Sequence, residues 1–168
     1  MATHVIDMIS WATAPDGSGD VFFEPYSIKS GGTGRWDEMQ VGIFNAGSTR
    51  DGMQGRFRVP KNYVGSANVL IDWASDTATS GDVEWDFEYR AVAALQSFDQ
   101  ATQDESVNSE DTAGAVDRRE ALSIALTDGN FAIDDIVQWE LFRDQVDAGD
   151  TMAGAALLFG LYFEYADA

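Results

Sequence analysis

The sequence predicts an all-β chain, one antiparallel sandwich or barrel of about eight or nine strands. Three observations predict it. Short runs of alternating apolar and polar residues recur along the chain, as a half-buried antiparallel strand requires. Clusters of Gly, Asp, Asn, Ser and Pro separate these runs and supply turn chemistry. No stretch carries a convincing amphipathic helix, and the acids are 20 Asp against nine Glu with only two lysines, whereas helix surfaces favour Glu and Lys.

Taken in chain order, Val5–Trp11 and Val21–Ile28 are weaker strand candidates, separated by the turn PDGSGD at Pro15–Asp20. The glycine-rich SGGTG at Ser30–Gly34 precedes a strand with Met39, Val41 and Ile43 on one face. After the turn NAGSTRDG (Asn45–Gly52), Met53, Gly55, Phe57 and Val59 alternate with Gln54, Arg56 and Arg58. Ala67, Val69, Ile71 and Trp73 then alternate with Asn68 and Asp72. The clearest strand follows the turn SDTATSGD (Ser75–Asp82): Val83, Trp85, Phe87 and Tyr89 oppose Glu84, Asp86, Glu88 and Arg90. A slip of one residue there would exchange core for solvent, so its register is firmly specified. Ser97–Asp117 is polar and acidic and reads as a long loop. Asp117–Leu126 suits either a short helix or a strand through Leu122, Ile124 and Leu126. Val137, Trp139 and Leu141 alternate with Gln138 and Glu140, and Ala155–Tyr165 is apolar on both faces, as a central strand or a subunit contact would be. The chain reads as a single domain over 1–168, with an extended N-terminal arm at 1–14 and the polar loop at 97–117.

With 29 acidic and 10 basic residues the formal net charge is −19. Nucleic acid and anionic membrane are therefore excluded as expected partners, because phosphate contacts are led by Lys and Arg and these are scattered. There is no cysteine, which removes disulfides, thiolate metal sites and thiol catalysis. The N-terminus lacks the charged and apolar regions of a secretory signal, and the apolar tract Ala153–Phe163 is shorter than a membrane span.

Motifs for chemistry are sparse, and no cofactor is expected. His4 is the sole histidine, so any triad, zinc site or histidine base would have to use a residue near the chain start, which reads more simply as an exposed terminal side chain. GxSxG, GxxxxGK[ST], HExxH and a strand-following GxGxxG are absent. Asp16, Ser18 and Asp20 offer alternate oxygen ligands for a hard cation, but Ser27 stands where an EF-hand loop would place its bidentate Glu, so an Asp-Gly turn is the simpler reading. Glu84, Asp86 and Glu88 share a strand face that a glycan-active enzyme could use, although the aromatics of that strand point the other way.

The stretch Met53–Leu95, with Val59-Pro60, Tyr63, Gly65, Trp73, the turn Thr79–Val83 and Trp85, resembles a group of small all-β virion proteins of tailed bacteriophages. The ending from Ala148 through TMAGAALLFGLYFEY looks similar too. The resemblance implies a jelly-roll sandwich that acts without catalysis as a capsid decoration (cement) protein. Such a protein would be made in the host cytoplasm, sit as a homotrimer on the outside of the phage head and bridge major capsid protein subunits. On that reading the N-terminal arm and the 97–117 loop are the docking elements, and Phe159, Tyr162 and Tyr165 are candidate anchors of a homotypic contact.

The alternative from a different class is a carbohydrate- or receptor-binding β-sandwich module of a phage tail or cell-surface protein, motivated by the five tryptophans. It predicts an exposed aromatic platform among Trp11, Trp36, Trp73, Trp85 and Trp139. A hydrolase using the Glu84, Asp86 and Glu88 face predicts a cleft there.

Overall fold

The computed structural model describes residues 2–10, 12–14, 19–27, 38–77 and 80–168. Among them are eleven strands: β1 (Thr3–Asp7), β2 (Gly19–Asp20), β3 (Phe22–Ser27), β4 (Glu38–Phe44), β5 (Arg50–Arg58), β6 (Tyr63–Ser75), β7 (Asp82–Val92), β8 (Glu105–Thr112), β9 (Glu120–Ala125), β10 (Ile136–Asp144) and β11 (Ala156–Asp167). A single 3-10 turn at Asp128–Asn130 is the one helical element in this part of the chain.

The strands form two sheets, giving a β-sandwich, one of the two architectures that the alternation and turns allow and of the jelly-roll type that the resemblance implies. One sheet runs β3-β4-β11-β6-β9 with β1 also paired to β11; the other runs β2-β5-β10-β7-β8. All pairings are antiparallel except the short β2–β5 contact. The inward residues of β7 (Val83, Trp85, Phe87, Tyr89) and of β6 (Ala67, Val69, Ile71, Trp73) are buried, as their alternation predicts. Trp73 and Trp85 meet edge to face at 6.0 Å, Phe44 joins Trp85 at 5.1 Å, and Phe163 packs on Phe57 at 4.6 Å. Burying each such side chain contributes about 1.5–3 kcal/mol, so the aromatic interior is the main stabilising term.

Two glycines of β5 make close packing with β10 workable. A Cβ on Gly55 would lie 2.4 Å from the Trp139 ring, and one on Gly52 would lie 2.3 Å from the Phe142 ring. Arg143 breaks the alternation of β10, because it points inward and is fully buried. Its guanidinium grips Asp150 with two 2.8 Å bonds and donates to the carbonyls of Phe44, Met152 and Gly154. It thereby ties β4, β10 and the return segment before β11 together.

The structure differs from the sequence reading in two places. The polar stretch 97–117 is not one loop, because its centre forms β8 on the edge of the second sheet. Two of the inward positions of β8, Glu105 and Asp111, are polar because they serve buried aromatic tips. Glu105 accepts the Tyr89 hydroxyl hydrogen bond, and Asp111 accepts Trp73 Nε1 at 2.7 Å. The N-terminal arm is likewise not free along its length, since β1 pairs with the end of β11 and Met8 N–H donates to Leu161 O. Of the two alternatives for Asp117–Leu126, the strand is the one formed, because pairing of residues 120–125 with β6 places Ile124 and Leu122 against the core.

β11 is the central strand of its sheet, flanked by β4 and β1 on one side and β6 on the other. This satisfies its two-faced apolar sequence without a subunit contact: Leu157, in register with Ile43 and Ala74, is fully buried.

Candidate functional site

An open cleft of about 860 Å³ lies on the outer face of the second sheet. Its floor is set by the register of three strands. Gln138 of β10 lies between Arg56 of β5 and Arg90 of β7, and one step along, Glu140 lies between Gln54 and Glu88. Cross-strand partners share a face, so these six side chains form two rows of three. The side chains of Trp139 and Tyr89 turn into the core beneath the rows. Residues Asp7–Ser10 and Ala12 border the cleft on the β5 side, and Gln100–Gln103 border it on the β7 side.

Hydrogen bonds within the cleft fix which atoms are on offer. Arg90 donates through Nη2 to Gln138 Oε1 at 2.8 Å and through Nη1 to Gln100 O at 2.8 Å. With its oxygen engaged, the Gln138 amide presents its NH2. Gln54 Nε2 donates to Thr13 O at 2.8 Å, so this amide presents its oxygen instead. The charged side chains lining the cleft are Asp7, Glu88 and Glu140 against Arg56 and Arg90, which leaves it nearly balanced in a strongly acidic chain.

Beyond the cleft the same face closes over. Arg50 lies 3.6 Å above the Phe142 ring and donates to Asp86 at 3.0 Å and to Glu88 at 2.6 Å. Phe142 faces outward yet is fully buried beneath it. Burial raises the Asp86 carboxyl above the ordinary aspartate range, with Arg50 opposing the shift. Burial also raises Glu84, which accepts a 2.7 Å bond from Asn108. Of the three acids singled out from the sequence, therefore, Glu88 alone borders the cleft, while Asp86 and Glu84 are built into the surface beside it.

Trp73, Trp85 and Trp139 are core residues and form no exposed platform; Trp11 and Trp36 lie outside the described residues. His4 is not a loose terminal side chain: it bonds Asp167 at 2.8 Å and stacks on Tyr165. Asp16 and Ser18 also lie outside the described residues, as does the side chain of Asp20, whose backbone belongs to β2. Among the described residues no three His, Asp or Glu side chains gather as a metal site would require. Of the candidate contact aromatics, Tyr165 is buried against Phe163 and is corrected to a core residue, because it alternates onto the same inward face as Leu161 and Phe163. Phe159 and Tyr162 are half-buried. Tyr162 shares a shallow 250 Å³ depression on the outer face of the first sheet with Val5, Leu70 and the Asp72–Arg119 ion pair.

Arg56, Gln138, Arg90 and Gln54 were not distinguishable from other outward polar residues in the sequence. Their alternation placed them on a polar face, but only the pairing order β5-β10-β7 brings them together.

No protein-family profile matches the chain, and no curated protein sequence does. Solved structures of similar architecture do exist. The family 11 carbohydrate-binding module of Clostridium thermocellum, solved with a β-1,3-1,4-mixed-linked tetrasaccharide, aligns at 8% identity and TM-score 0.49 over 94% of each chain. The isomalto-dextranase of Arthrobacter globiformis T6 aligns at 16% identity and TM-score 0.49, covering 74% of this chain but 18% of that enzyme. The enzymatically active domain of bacteriophage CBA120 tailspike protein 4 aligns at 10% and TM-score 0.45, covering 95% of this chain and 19% of that one. Carbohydrate-binding modules recur among the similar structures.

Proposed function

We propose that the protein is a carbohydrate-recognition module that binds without catalysis, with the cleft across β5, β10 and β7 as its binding face. The observation that carries the reading is the pair of side-chain rows Arg56–Gln138–Arg90 and Gln54–Glu140–Glu88 on the floor of an open groove. Sugars present closely spaced hydroxyls that both donate and accept. Amides, guanidiniums and carboxylates held on neighbouring strands match that pattern, and a rigid sheet keeps them preorganised. The groove is open, so an extended oligosaccharide could lie in it without threading.

The same face argues against hydrolysis. Cleavage between two carboxyls needs one of them to deliver a proton to the leaving group, and Glu88 Oε1 is already engaged by the Arg50 guanidinium at 2.6 Å.

The test is retention on a panel of immobilised oligosaccharides, scored beside release of reducing ends. Retention that Gln138→Ala weakens at least tenfold, without product, is the expected result. Retention unchanged by Gln138→Ala, or none on any glycan, would remove this reading.

The second reading is the virion structural protein, favoured by the sequence resemblance over Met53–Leu95, which folds as β5, β6 and β7. It concerns where the module is carried and whether it trimerises on a capsid. Mass measurement in solution tests the trimer, and electron microscopy of intact particles tests the location.

A further inference from the structure

In a chain with 29 carboxylates and 10 cations, an arginine without an acidic partner is unusual. Arg50, Arg58, Arg118, Arg119 and Arg143 each hold a carboxylate within 4.0 Å. Among the described residues Arg56 and Arg90 hold none, and these are the two that flank Gln138 in the cleft. Strand spacing puts their backbones roughly 10 Å apart. Arginine side chains are long enough to bring two guanidiniums from backbones at that spacing onto one carboxylate between them.

Arg90 is held in place by its two 2.8 Å bonds, and its Nε is shielded from solvent without a partner, a pose whose cost a nearby anion would offset. Because Gln138 gives its oxygen to Arg90, the middle of the row adds an NH2 donor. The whole row therefore donates. The neighbouring row, about 7 Å along the strands, carries acceptors: Gln54 Oε1 and the carboxylates of Glu140 and Glu88.

We propose that the cleft recognises an acidic oligosaccharide, with the carboxylate of a uronic acid on the Arg56–Gln138–Arg90 row and ring hydroxyls on the Gln54–Glu140–Glu88 row. The inference rests on the carbohydrate-module reading and names its ligand class. A donor row and an acceptor row one sugar ring apart match a hexuronate, which carries its carboxylate at one end and hydroxyls at the other. The net charge of −19 opposes a dense polyanion such as nucleic acid. A single carboxylate meets it weakly, because charges more than about 8 Å away are screened at physiological salt.

The experiment is calorimetric titration with three uronate trisaccharides (galacturonate, glucuronate and mannuronate), their methyl esters and sodium acetate. The proteins are the unaltered chain, Arg56→Gln, Arg90→Gln, and Arg119→Gln as a control on the opposite sheet. Thermal melts confirm that each variant is folded. At least one uronate is expected to bind about tenfold or more tighter than its ester, and each cleft variant is expected to lose roughly tenfold, as removal of a charge-assisted bond predicts. Arg119→Gln should bind like the unaltered chain, and acetate should bind far more weakly than the trisaccharide. Equal affinity for acid and ester, or neutral glycans bound in the cleft with no uronate bound, overturns the acidic assignment and leaves the module reading intact. Failure of every charged and neutral glycan overturns both.

Discussion

Replacing Arg143 with methionine removes a fully buried side chain that ties three segments of the sandwich together. A guanidinium has five N–H donors, and Arg143 makes five hydrogen bonds: two to Asp150 at 2.8 Å, one to Phe44 O at 3.3 Å, and one each to Gly154 O and Met152 O at 2.7 Å. Methionine matches much of the apolar stem but leaves the buried Asp150 carboxylate without its cation, a loss worth about 3–5 kcal/mol. Asp150→Asn, which strands the arginine, should cost about as much, again on the order of 3–5 kcal/mol. The double variant Arg143→Met with Asp150→Asn should cost less than the sum, because neither charge is stranded. It should still fall well short of the parent, because three buried carbonyls lose a donor at about 1–3 kcal/mol each. Domains of this size lose about 2–4 °C of Tm per kcal/mol, so each single change should lower Tm by roughly 6–20 °C. Urea denaturation of the four proteins measures the cycle. Single-variant losses below about 1 kcal/mol, or strictly additive losses, would refute the picture of Arg143 as a desolvated clamp.

Three further outcomes follow from particular contacts. Gly55→Ala drives a methyl to within 2.4 Å of the Trp139 ring, so a loss of about 1–3 kcal/mol is expected, together with weakened glycan retention as the floor shifts; an unchanged denaturation midpoint would contradict the packing. Burial raises the Glu84 carboxyl, so its ionised form costs stability at neutral pH and that cost fades as pH falls and the group protonates. Glu84→Gln keeps the acceptor for Asn108 and should raise Tm at pH 7 but not at pH 4, whereas a lower Tm at pH 7 would be contrary. Asp128 is held below the ordinary aspartate range chiefly by the Ala67 N–H, against a smaller burial effect, with help from Ser66 N–H and the Tyr63 hydroxyl. Its stabilisation is present above about pH 4 and is lost as pH falls through its lowered value. Asp128→Asn should therefore lower Tm at pH 7 and converge with the parent near pH 2; a gap that persists there would exclude ionisation as the source.

The strands that alternate cleanly could be read from sequence because each has a wet and a dry face. β7 shows this best, with Trp85 inward and Asp86 outward. β8 escaped because its inward residues, Glu105, Ser109 and Asp111 around Val107, look solvated until Tyr89 and Trp73 are seen to need acceptors. Phe142 and Arg143 escaped for the opposite reason: each sits on the face its chemistry disfavours and is rescued by one partner, Arg50 or Asp150. The cleft could not be read at all, since Arg56, Arg90 and Gln138 become neighbours only through the order of strands in a sheet. The tryptophans misled in the same way. Residue type suggested a sugar platform, whereas alternation had already put Trp73, Trp85 and Trp139 on the apolar strand faces, and burial assigns them to the core.

Chemical-shift mapping of the isotope-labelled protein tests the central claim most directly, using the oligosaccharide retained best in the glycan panel as probe. The account predicts shifts confined to the side-chain amides of Gln54 and Gln138, the guanidinium signals of Arg56 and Arg90, and the backbone of Gln100–Gln103. Shifts centred instead on Val5, Leu70 and Tyr162 across the opposite sheet, or no shifts at saturating probe, would contradict it.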